Sequence, residues 1–232
     1  MSGGDGRASF ETPPHSQATI FLRPIGSSLP LGFFSFGIGM LVLGCQAIGW
    51  IPVSEQREGG MILMAFVFPL ELVATVFAFL ARDTLGATTL GLFTTSWLTL
   101  GWSQLSSPPG ATSVTVGIYL FGFATAVLLL STLSTLGKPF FSLLLLVAVA
   151  RMTLAGMYEV GAAGKTVFEV SGGFALALAA LAMYGGAALG LEDAHQREVL
   201  PLFRRGAAAA SFEGYEQQLE RLEAEAGVRQ QL

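Results

Sequence analysis

Two ionisable side chains fall where long apolar runs give them no water: Glu71 and Arg151. An unpaired charge inside a membrane-spanning segment is costly, so such groups face a bundle interior, pair with one another, or mark a transport path. One reading is a structural Glu71–Arg151 ion pair. Another places Glu71 on a permeation path, where it could exchange a proton; a pore-facing pair would do both. Glu159 and Glu169 lie near the ends of apolar runs and read as interfacial.

Hydroxyls concentrate in one segment, with Thr84, Thr88, Thr95 and Thr99 near one helical face and Thr89, Thr94 and Ser96 beside it. They could line a path for a small polar solute, or bond back to the carbonyl one turn earlier; both readings stand. Small residues recur at four-residue spacing, Ala87, Gly91, Thr95 and Thr99 in this segment and Ala182, Gly186 and Gly190 in another. Such stripes let helix backbones approach closely in lipid.

Catalysis has little to work with. The chain has 2 histidines, His15 and His195, both near the ends, and neither GxGxxG nor a Walker-type loop occurs. We therefore expect no enzyme, no cofactor and no metal. The single cysteine, Cys45, sits in an apolar run and reads as packing.

The elements that must position these groups are membrane helices. Of 232 residues, 52% are hydrophobic and 12% charged, against about 25% charged in soluble domains, and the mean hydropathy is +0.62. Six spans can be drawn at 29–50, 60–81, 85–104, 114–136, 139–160 and 168–191, each long enough to cross about 30 Å of hydrocarbon. The alternation of a membrane barrel is absent, so the fold class is all-α: a polytopic bundle of six transmembrane helices. Breaks carry charge, Pro or Gly, as at Arg82-Asp83, Pro108-Pro109 and Gly137-Lys138-Pro139.

Positive residues set the orientation. An N-in, C-in arrangement keeps Arg7, Arg23, Arg82, Lys138, Arg197, Arg204, Arg205, Arg221 and Arg229 inside and leaves only Arg57 and Lys165 outside. The domain plan is a polar leader (1–28), the six-helix domain (29–191) and a cytoplasmic tail (192–232). In the tail Phe212, Tyr215, Leu219, Leu222 and Ala226 form one short amphipathic stripe. The net charge of −4 with its acidic tail argues against nucleic acid.

Read in order, Ser27-Ser28-Leu29-Pro30-Leu31-Gly32-Phe33-Phe34-Ser35-Phe36 resembles the Asn-Pro-x-Pro-Leu-Gly-Leu-x-x-Phe signature that opens the first span of the acetate uptake transporter family. Asp83 to Trp97 is similar to that family's Asn-Thr-Phe-Gly-x-Thr-Ala-Phe-x-Ser-Tyr-Gly-x-Phe-Trp block. Gly117-Ile118-Tyr119-Leu120, Phe140-Phe141-Ser142-Leu143 and Val199-Leu200-Pro201 follow in the family's order.

The resemblance implies a homo-hexamer in the plasma membrane, each protomer holding its own path for small monocarboxylates. It implies an apolar constriction at Phe36, Phe93 and Leu143, which can gate by dewetting. Pro30, Gly32, Thr84, Gly86, Thr88 and Thr95 fall on or beside its motifs and, with Glu71 and Arg151, are the expected path-lining or coupling residues. The departures are specific. Ser27 and Ser28 replace the signature's Asn and first Pro, and Phe93 replaces the constriction Tyr. Ala65-Phe66-Val67-Phe68-Pro69-Leu70-Glu71 stands for Phe-Tyr-Gly-Gly-x-x-Gln, turning an amide into an acid, and Arg151 stands at a usually apolar position. The expected function is a permease for small monocarboxylates such as acetate, proton-linked or channel-like. The alternatives are a path for a small neutral solute (urea, ammonia or undissociated acid) or a non-transporting membrane scaffold.

Overall fold

In the computed structural model, residues 26–205 are described, apart from 82, 136 and 196. The leader through residue 25 and the tail stripe from Phe212 to Ala226 lie outside them. Six long helices alternate up and down: α1 (Leu29–Ala47), α2 (Val53–Leu80), α3 (Thr84–Ser106), α4 (Val114–Ser134), α5 (Pro139–Glu159) and α6 (Lys165–His195). All except α3 are both long and apolar enough to cross a bilayer. The 23 residues of α3 reach about 35 Å, so its hydroxyls lower its hydropathy without shortening it. The chain is a multi-pass helical membrane protein.

Local chemistry sets the helix ends. Asp83 caps α3 by accepting from the Gly86 amide at 3.1 Å, and its carboxylate also holds Lys138 Nζ at 3.1 Å, which ties the start of α3 to the start of α5. Ser113 caps α4, and its amide donates to Glu159 Oε2 at 2.8 Å, joining α4 to the far end of α5. Gly161, at φ +75°, takes the left-handed conformation that closes α5.

The second helix begins earlier than its expected start at residue 60, because Pro52, in extended conformation, can open a helix whose first turn lacks amide partners anyway. Pro69 lies well inside α2. It has no amide to give the carbonyl four residues back, and the helix answers with a π turn at Leu63–Val67 before resuming at Phe68–Leu80. Such bulges reorient the side chains that follow; here the next acidic one is Glu71.

The principal pairings are α1 with α6, α4 with α5, α2 with α3 and α5 with α6. Close approach is literal between α2 and α3, where a Cβ on Gly101 would stand 2.8 Å from the Gly60 carbonyl. Of the expected small-residue stripes, Ala87, Ala182 and Gly186 are buried at contacts, whereas Thr95 and Thr99 are exposed and Gly190 meets nothing within 4 Å. Phe36, Met40, Phe93, Trp97, Phe123, Val127, Leu144, Leu145 and Leu178 are among the residues that fill the core. The outer surface is itself apolar, with Val76, Phe79, Trp102, Ile118, Leu129 and Leu133 all exposed, as expected where lipid is the solvent.

The expected boundary at residue 191 is moved. The sixth helix continues to His195, and the chain then returns onto the bundle. Leu202 is buried, Tyr184 Oη donates to Pro201 O at 3.0 Å, and the Arg205 amide donates to Gly137 O at 2.9 Å. Buried contacts of this kind make residues 200–205 part of the helical body.

Candidate functional site

Four helices line one small cavity. The first contributes Gly32, Phe33 and Phe36, the second Glu71, the third Thr89, Leu90 and Phe93, and the fifth Phe141 and Leu144. These sets follow helical spacing, since positions three and four apart share a face. The cavity measures about 20 Å³, room for about one water. Its walls are mainly aromatic and aliphatic.

Above the cavity the aromatic rings close on one another. The Phe36 and Phe93 rings meet edge to face with centroids 4.9 Å apart and planes at 83°. Phe93 meets Phe123 at 5.0 Å, and Phe36 meets Trp97 at 5.7 Å. Edge-to-face contact puts the positive rim of one ring on the negative face of the next, which favours this closed cluster beyond its buried area.

Glu71 is fully buried. Its Oε2 accepts from Trp97 Nε1, while Oε1 has no partner among the described residues. Trp97 can lie there because Gly39 offers no side chain: a Cβ on Gly39 would stand 2.8 Å from Trp97 Cη2. One turn further along α2, Thr75 Oγ1 donates to the Glu71 carbonyl at 2.8 Å and sits 3.1 Å from Thr94 Oγ1. A carboxyl is thus held on one oxygen by α3, its other oxygen is buried without a partner among the described residues, and its side chain forms part of the cavity wall.

The structure separates residues that the sequence suggested together. Glu71 and Arg151 do not pair: Arg151, 6% exposed, forms no ion pair with it, and Arg151 Nε has no hydrogen-bond partner among the described residues. The acid whose charge Arg151 feels is Glu159. Phe36 and Phe93 do meet. Leu143 does not join them; it is 51% exposed on the outer face, and Leu144, at 4%, takes the lining position. One residue turns a helix by about 100°, so within the run Leu143 to Leu146 a one-residue shift exchanges inside for outside.

The expected hydroxyl face is also displaced. Thr84, Thr95 and Thr99 are exposed, and Thr88 is partly so. Thr95 bonds back to Gly91 O and Leu92 O, and Thr99 to Thr95 O. Inward positions belong to Thr89, Thr94 and Ser96. Even Thr89, which lines the cavity, donates to Leu85 O at 2.8 Å, so only its oxygen lone pairs remain for a solute. Gly32 lines the cavity, and Pro30 sits in the first turn of α1 one turn from Phe33 and Phe34. Gly86 is buried under the Asp83 cap, where a Cβ would clash with Asp83 Oδ2 at 2.5 Å; its role is local.

Six lining or supporting residues were not singled out as site residues from sequence: Phe33, Thr89, Leu90, Phe141 and Leu144 on the cavity wall, and Trp97 behind it. Trp97 and Thr89 lie four residues either side of Phe93, a spacing that places all three on one face of α3. Among the described residues no group of three or more His, Cys, Asp or Glu is placed to hold a metal ion.

No protein-family model matches the chain, and no curated protein matches it by sequence. Its architecture does find a counterpart among solved structures. The chain folds like the bacterial acetate channel SatP. The two superpose with a TM-score of 0.68 at 18% identity, over 77% of this chain and 99% of that one. The six-helix fold implied by the motifs at Ser27–Phe36 and Asp83–Trp97 is therefore the fold observed.

Proposed function

We propose that the protein is a permease or channel for small monocarboxylates such as acetate, with one path through each protomer, passing the cavity beside Glu71 and the Phe36–Phe93 closure. The observation that carries this reading is the cavity itself, lined by four helices inside a fold shared with an acetate channel. Its apolar walls suit the methyl group of a short acid, and its size makes ring movement the gate. Leu144 replaces Leu143 as the aliphatic member of the constriction.

Glu71 is the proton-sensitive element in this reading. A charged Glu71 beside the path repels an anion, whereas a protonated one offers a hydrogen-bond donor to it, so uptake rises toward acid pH. Orientation is N-in, C-in in the plasma membrane, supported by the nine-to-two distribution of Lys and Arg. Assembly is a homo-hexamer, for which the exposed face Thr84, Thr88, Thr95 and Thr99 supplies a small, polar contact strip.

The test is labelled acetate uptake into proteoliposomes over a range of pH, with the native chain and Glu71→Gln. Uptake above that of empty vesicles, with a pH dependence that flattens in Glu71→Gln, is expected. No uptake by either protein at any pH overturns the proposal. A second reading, a neutral solute, is favoured by the water-sized cavity and the missing Tyr hydroxyl at Phe93. Shrink–swell traces with urea separate the two, since a monocarboxylate path leaves urea excluded.

A further inference from the structure

Arg151 is the charged group that the proposed path leaves unused. It lies seven residues beyond Leu144 on the same helix, two turns or about 10 Å along the inner face of α5. Its neighbours on that face are small: Ala148 one turn before and Ala155 one turn after, both buried. Among the described residues it forms no ion pair and its Nε has no hydrogen-bond partner, although it is only 6% exposed. Glu159, a further two turns along, acts on it through space, but Glu159 Oε2 is already engaged by the Ser113 amide at 2.8 Å.

A buried guanidinium without a partner is among the most costly arrangements in a membrane protein. Guanidinium geometry also states what would relieve it: a planar group with two oxygens, met by two parallel N–H donors. Residues from Leu144 to Glu159 therefore run in order along α5 as apolar wall, vacant cation and distal acid. We propose that Arg151 is a binding site for the carboxylate of the permeant acid, placed between the Glu159 end of the bundle and the aromatic closure, with Glu159 as the charge against which the incoming anion competes. This inference rests on the monocarboxylate reading for the choice of ligand and deepens it by naming the residue that holds the anionic head group.

The experiment is equilibrium binding of labelled acetate to the full chain in detergent micelles, with no membrane to cross. Saturable binding is expected to weaken about tenfold or more in Arg151→Met, since hydrogen bonds to charged groups are lost, and to be partly kept in Arg151→Lys. Glu159→Gln supplies the second, opposite readout. With the competing charge removed, acetate binds more tightly, whereas a purely structural Arg151–Glu159 couple gives weaker or unchanged binding. Unchanged affinity in a monodisperse Arg151→Met protein overturns the inference, as does displacement of acetate by an equal concentration of chloride, because a spherical ion does not use the two-donor fork. Acetate bound through Arg151 without any flux in vesicles refutes the permease reading alone. Flux with an unaltered KM in Arg151→Met refutes this inference alone.

Discussion

Replacing Trp97 by Phe isolates what holds Glu71 in place. The indole Nε1–H is the one donor on the Glu71 carboxyl among the described residues, and Phe fills much of the same space without it. A buried acceptor left without its donor costs about 1–3 kcal/mol, and the smaller ring leaves a gap beside Phe36 and Gly39 costing about 1 kcal/mol more. Trp97→Phe should therefore destabilise the bundle by roughly 2–4 kcal/mol. In a Glu71→Met background only the packing loss remains, about 1 kcal/mol. The double-mutant coupling is then about 1–3 kcal/mol, read from equilibrium unfolding in mixed micelles. A parallel cycle of Glu71→Met with Arg151→Met should be additive within about 0.5 kcal/mol, because these groups do not pair. Additivity at Trp97 together with strong coupling at Arg151 would refute the assignment and restore the ion pair that the sequence suggests.

Three further outcomes follow from the packing. Leu144→Ala should cost about 2–5 kcal/mol and enlarge the cavity, while Leu143→Ala, half exposed, should change thermal stability little; equal effects would contradict the placement of these neighbours. Asp83→Ala loses both the α3 cap and the Lys138 contact, about 1–2 kcal/mol in all, whereas Asp83→Asn keeps the cap and loses only the smaller ionic part, as thermal unfolding in detergent would show. Gly101→Ala brings a methyl to 2.8 Å from the Gly60 carbonyl and should cost about 1–3 kcal/mol through overpacking, with a matching fall in the unfolding midpoint.

The fold was legible because a bilayer imposes long apolar segments and internal satisfaction of every backbone group, and both leave marks in one dimension: the charge-free runs from Pro24 to Ser54 and from Thr84 to Gly137. Phe36 and Phe93 were legible through their motifs, Phe36 in register with Pro30 and Gly32 and Phe93 with Gly86 and Gly91. Leu144 was not, since four consecutive leucines carry no signal of which one turns inward. The threonine face of α3 misled for a related reason. In soluble helices polar residues mark the water side, but in a membrane helix a self-bonded threonine is tolerated on either face, so Thr95 and Thr99 could point outward at no loss. Glu71 was recognised as exceptional while its partner stayed open. Opposite charges suggested Arg151, and the structure instead uses a neutral indole, brought within reach by the π turn before Pro69 and the missing side chain at Gly39, neither of which is visible as a pairing in sequence.

The account turns on small acids passing between Phe36 and Phe93. The most direct measurement compares labelled acetate and butyrate uptake by proteoliposomes containing the native chain or Phe36→Ala. The native chain should take up acetate saturably and exclude butyrate, and the variant, with one ring of the closure removed, should admit both. Absence of acetate uptake by the native chain, or the same size preference in both proteins, would contradict the account.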